Sequence, residues 1–249
     1  MSQGTPSINS SSESLSASTV AASESDVPAV VNGQLRHEDP WVIIGFFVIS
    51  CFILKLWWAD FKDRQAGTPN PKALPGATTC PPTGLCLAII GSLLLLLVET
   101  LGEYALGISA QQSNITVLFL VSMVAAAFIE EIIFRGYLVC ENRGKAALLA
   151  SIFGFSLLFA LLHPHLWKLD FAADVPAWQV WNGSLSTDFS AKAWFSTAAL
   201  FLGSIWFYTV RFYAWNPNHS LLPCFAAHLA KNIGVFAIKC AQGHVVQLY

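Results

Sequence analysis

The chain has 249 residues, 55% of them hydrophobic and only 11% charged, with a mean hydropathy of +0.56 and a formal net charge of −2. Soluble domains carry about 25% charged residues, so this composition excludes an ordinary soluble protein. Without a basic patch or stripe it excludes a nucleic-acid binder as well.

Residues 1–39 read as a separate tail. Ten of the first twenty-five residues are Ser, and no aromatic residue occurs before Trp41. Such a segment cannot bury enough apolar surface to offset its ordering entropy, which predicts disorder. It has neither the basic start nor the apolar stretch of a signal peptide. Residues 40–114 then hold two predicted transmembrane helices, about Trp41–Trp58 and Leu85–Leu101, joined by a Pro-rich loop with Pro69, Pro71, Pro75, Pro81 and Pro82. Glu99 and Glu103, four apart at the end of the second run, read as markers of the membrane interface.

A third stretch is uncharged from Tyr104 to Ile129 and ends on Glu130-Glu131, with Arg135 four residues further on. Gly144 in Asn142-Arg143-Gly144-Lys145 is a helix stop. The fourth run, Ala146–Leu162, closes on His163-Pro164. A wetter segment from His165 to Lys192, with Trp167, Trp178 and Trp181, is expected to be an interfacial or lid-like connection. Two further runs, about Ala193–Val210 and Leu221–Ile238, are separated by the turn Asn216-Pro217-Asn218, and residues 241–249 form a short tail. The fold class is therefore all-α: a polytopic membrane bundle of about six helices with a buried polar site. Lys and Arg in the 60–84 loop and the 142–145 turn put both on the cytoplasmic side by the positive-inside rule. The six Cys lie mostly in or beside apolar runs and are expected to be reduced; Cys80 and Cys86 flank a turn that would allow a pair, and no metal-type CxxC occurs. His165, His219 and His244 fall in loops or the tail and are expected to be solvated.

Ionisable groups at bilayer depth persist where they face a protein interior or a watered cavity. Three pairs here meet that description. Glu131 and Arg135, Phe159 and His163, and His228 and Asn232 are each four apart and so share a helical face. Glu130 points about 100° away from Glu131, which lets Arg135 neutralise one carboxylate and leave the other free. Counting from Gly144, an antiparallel hairpin leaves Glu130 and His163 within about 8 Å along the membrane normal. A carboxylate, two imidazoles and an amide then converge. Peptide hydrolysis needs an activated water and donors for the oxyanion, and these residue types supply both. Glu130 is the candidate base and Glu131 its charge-setting neighbour. Zinc is the alternative, with Glu130, His163 and His228 as ligands, although no HExxH occurs and the three sit on different helices.

Glu130-Glu131-Ile132-Ile133-Phe134-Arg135 resembles the EExxxR motif of the CAAX prenyl endopeptidase and bacteriocin-processing intramembrane protease family. Phe159-Ala160-Leu161-Leu162-His163 resembles its FxxxH motif and His228-Leu229-Ala230-Lys231-Asn232 its HxxxN motif. The resemblance implies that residues 115–240 are an intramembrane catalytic core. It implies water activation by Glu130 and His163, and an oxyanion site at His228 and Asn232, with Glu131 in the catalytic set and Arg135 and Phe159 supporting it. No cofactor is expected, with zinc the alternative. The expected partners are a peptide or lipidated protein substrate and the bilayer, in a multi-pass membrane location (the plasma membrane for a bacterial chain). The competing reading is an immunity or scaffold protein of the same fold without catalysis. A transporter using the carboxylate as a proton relay is weakened because no inverted repeat is visible.

Overall fold

The computed structural model describes Met1, residues 40–170 and residues 180–248. The predicted disorder of the Ser-rich tail, the middle of the His165–Lys192 connection with Trp178, and Tyr249 lie outside the described residues. Helices α1 (Pro40–Gln65), α2 (Pro82–Ala105), α3 (Phe119–Glu130), α4 (Lys145–Leu162), α5 (Ala191–Phe212) and α6 (Leu222–Ala241) carry the fold. Among the described residues, four short strands accompany them. β1 (Ile115–Thr116) pairs in parallel with β4 (Val245–Gln247), and β2 (Trp167–Asp170) forms an antiparallel ladder with β3 (Ser184–Thr187). The part of the lid-like connection that is described is thus this ladder.

Local chemistry accounts for most boundaries. Pro82 and Pro223 sit in the first turns of α2 and α6, where a missing N–H costs nothing. Ser190 caps α5 by accepting a hydrogen bond from Ala193 N at 3.2 Å. Gly144, expected as a helix stop, instead precedes α4, because the helix before it already ends at Tyr137; its φ of 88° is open to glycine at little cost, and α4 stops before His163-Pro164. The first two runs extend beyond the sequence limits, α1 to Gln65 and α2 to Ala105.

Five of the helices, α1, α2, α4, α5 and α6, are long and apolar enough to cross a membrane. The sixth expected span is shorter than predicted as an α-helix. α3 runs only 12 residues and continues as a π-helix, Glu131–Tyr137, in which hydrogen bonds skip five residues instead of four. Large apolar side chains such as Phe52, Leu94, Val98, Leu149 and Phe153 stay exposed on the bundle, as lipid-facing surfaces require.

Small residues let the helices approach. Ser50 Oγ donates to Ala125 O across α1–α3 (3.0 Å), and Ser92 Oγ to Ala227 O across α2–α6 (2.7 Å). Gly91 on α2 lies against Trp206 on α5, where a Cβ would overlap the indole, and Trp206 Nε1 donates to Ala88 O at 3.1 Å. The core gathers Trp57, Ala88, Ile132, Phe207, Leu221, Cys224 and Phe225 between α1, α2, the π-helix, α5 and α6. All six cysteines are free.

Glu99 and Glu103, read from the sequence as interface markers, are both paired within the bundle. Glu99 Oε2 pairs with Lys231 Nζ of α6 at 3.0 Å, and the buried Glu103 pairs with Lys192 and accepts from Gln112. The sequence does not say which way a glutamate at the end of an apolar run turns. Packing of α2 against α6 turns Glu99 inward.

Candidate active site

The π-helix carries Glu131 and Arg135 into the bundle, and both side chains are 0% exposed. Arg135 Nη1 lies 3.1 Å from Glu131 Oε1, the expected pair on one face. Its Nη2 donates to Ser204 Oγ of α5 at 2.7 Å, and Ser204 Oγ donates to Ser156 Oγ of α4 at 3.0 Å. The rings of Phe159, Phe207 and Tyr208 surround the guanidinium, with centroids 4.5, 5.0 and 5.1 Å from Cζ. Removed from water, this cation is compensated by a carboxylate, a hydroxyl and aromatic faces together.

His228 enters from α6. Its Nδ1 is 2.7 Å from Glu131 Oε1, and Phe207 stacks on the ring at 4.8 Å and 22°. An Nδ1–H donated to the carboxylate fixes the tautomer and turns Nε2 toward Glu130, whose Oε2 is 3.9 Å away. That gap is too long for a direct hydrogen bond and suits a bridging water. The two carboxylates therefore differ in setting: Glu131 is enclosed and paired, whereas the Glu130 side chain keeps 25% exposure.

His163, just past the end of α4, bonds through Nδ1 to Phe159 O at 2.8 Å, and its ring packs on Phe159 at 4.6 Å. Among the described residues it bonds neither glutamate. α4 begins past the end of the π-helix. Cys140 N donates to Ser151 Oγ at 3.1 Å, which leaves residues 145–150, about 9 Å of helix, beyond that level. Phe159 consequently meets Phe134 edge-to-face at 5.0 Å. Asn232 Nδ2 donates to Met123 O of α3 at 2.8 Å, tying α6 to α3 and leaving one N–H of the amide for other use.

His165 is half-buried rather than solvated. Burial, followed by the charges of His163, Lys192, Lys168 and Lys231, pushes its imidazole down to about 4, so it is neutral at pH 7. His219 and His244 lie nearer the surface, beside Glu141 and Asn114. Among the described residues no three His, Cys, Asp or Glu side chains gather closely enough to hold a metal ion.

Residues that the motifs do not name hold this site together. Ser204, Phe207 and Tyr208 of α5 touch Arg135 or His228, and their spacing on one face is the only sequence signal that would have pointed to them.

A bundle of apolar helices enclosing a glutamate–arginine–histidine centre defines a multi-pass integral membrane protein with an intramembrane polar site. Residues 112–234, just under half of the chain, match the family model described as type II CAAX prenyl endopeptidase Rce1-like. Comparison with curated proteins and with solved structures returned no match.

Proposed function

We propose that the protein is an intramembrane endopeptidase that hydrolyses a peptide bond in a membrane-tethered, prenylated substrate. The observation that carries the reading is the unequal pair of glutamates around one imidazole: Glu131 orients His228, and Glu130 faces the other ring nitrogen across a water-sized gap.

In this reading a water sits between Glu130 and His228 Nε2, giving one hydrogen to each. Glu130 takes the proton as the oxygen attacks the scissile carbonyl, then returns it to the departing amine, so that water is divided between the two products. His163, with Nδ1 on Phe159 O, presents Nε2 as an acceptor for an N–H of the departing amine. The remaining N–H of Asn232 donates to the oxyanion. Arg135 balances Glu131 and takes no part in proton transfer. No step is routed through a metal.

Purified protein in detergent, given a quenched-fluorescent prenylated peptide, tests the reading. Wild type should cleave, folded Glu130→Gln should lose about 10²–10⁴ of the rate, and a zinc chelator should change neither. Chelator-sensitive cleavage would redirect the chemistry to zinc. A folded Glu130→Gln protein that keeps its cellular function would favour the scaffold reading.

A further inference from the structure

Carbonyls at a helix end lack intrahelical partners and, when buried, must find donors elsewhere. The wide register of Glu131–Tyr137 sharpens this need. Leu138 N closes an i→i+5 bond on Ile133 O at 2.9 Å, and the next amide, Val139 N, turns instead to Tyr137 O. Phe134 O is therefore left without the amide that would continue the register.

α5 supplies the donors. Tyr208 Oη lies 2.7 Å from Phe134 O and 2.9 Å from Leu138 O, sharing its one hydrogen between them. Arg211 Nη1 donates to Gly136 O at 3.3 Å and Nη2 pairs with Glu141. Ser204, Tyr208 and Arg211 occupy one face of α5, so a single helix meets both the backbone of the π-helix and the guanidinium that projects from it. The carbonyls on both sides of Arg135 are thereby pinned. Its side chain holds Glu131, and Glu131 holds His228. Tyr208 is fully buried, and no lipid or solvent contact accounts for its hydroxyl.

We infer that Tyr208 is a positioning residue: its hydroxyl holds the π register of Glu131–Tyr137 and so sets Glu131 against His228. Relaxation of the segment to i→i+4 bonding would turn Arg135 about the helix axis, away from Ser204, and move the shared carboxylate oxygen with it. The kinetic consequence rests on the hydrolytic function proposed above; the geometric one does not.

The experiment compares full-length wild type and Tyr208→Phe in lipid nanodiscs, with ¹⁵N-labelled histidine and with the prenylated peptide as substrate. Phe keeps the ring packed on Arg135 and removes only the hydroxyl. The ring-nitrogen signals of His228, assigned by their loss in His228→Ala, should shift in the folded variant. Turnover should fall at least tenfold with KM within twofold, and p-aminophenylalanine at position 208, which retains a donor, should restore both. Wild-type His228 signals in folded Tyr208→Phe would overturn the inference. A wild-type protein that hydrolyses nothing would sink the proposed function alone, because the His228 signals still decide. Should Tyr208→Phe not fold, the p-aminophenylalanine protein decides: wild-type His228 signals support the role of the donor, and displaced signals refute it.

Discussion

His228 and Glu131, 97 residues apart, meet through one carboxylate oxygen that Arg135 also uses: Nδ1 of the imidazole is 2.7 Å from Oε1, and Nη1 of the guanidinium 3.1 Å. The shared oxygen makes the three side chains a unit. Glu131→Ala would leave Arg135 buried without its anion, and breaking a buried pair from one side costs about 3–5 kcal/mol. Thermal unfolding in detergent should show a loss of that order. A loss below about 1 kcal/mol would mean that the aromatic cage and Ser204 carry the cation without help.

The Glu99–Lys231 pair links α2 to α6 next to Asn232, with Lys231 buried. Glu99→Gln alone is expected to destabilise by about 3 kcal/mol, since it strands the ammonium. Removing both charges together, as Glu99→Gln with Lys231→Met, should recover most of that loss. Additive losses in this double-mutant cycle would show that the two groups do not interact.

Gly91 permits the contact between α2 and the Trp206 indole. A methyl group there forces the ring or the helix to move, and overpacking of this kind costs about 1–3 kcal/mol. Gly91→Ala should lower the unfolding midpoint. Gly154, which has open space around it, provides the control, and Gly154→Ala should leave the midpoint unchanged or raise it.

His165 gives a dependence on pH with a defined sign. Its folded pKa of about 4 lies below the ordinary 6.5, so between these values the unfolded chain binds more protons. Stability should therefore be full above pH 6.5 and decline as the pH falls toward 4. Melting curves across that window should show the decline in wild type and a shallower one in His165→Gln. Parallel curves for the two proteins would remove His165 as the cause.

The i,i+4 pairs were legible from spacing because any helical register keeps residues four apart close together, and Glu131 with Arg135 is the result. The register itself was not legible. Glu130 to Arg135 reads the same in an α-helix and in a π-helix, and the difference depends on donors from α5 that are distant in sequence. Ser204 and Tyr208 resemble ordinary polar residues of an apolar helix until their partners are known. Asn232 was assigned to the oxyanion from its stripe with His228, yet one of its N–H groups is taken by Met123 O, which belongs to a different helix.

The sequence by itself determined the membrane class, the apolar runs, the break at His163-Pro164 and the match of residues 112–234 to a family model. These follow from hydropathy, turn chemistry and short motifs, all local along the chain. Only the tertiary structure decided which glutamate is enclosed, which ring nitrogen faces Glu130, and that Glu99 and Glu103 turn inward. Those outcomes depend on the rotation and depth of each helix against its neighbours. Rotation and depth are set by the joint packing of residues far apart in sequence, such as Gly91 against Trp206 and Ser92 against Ala227.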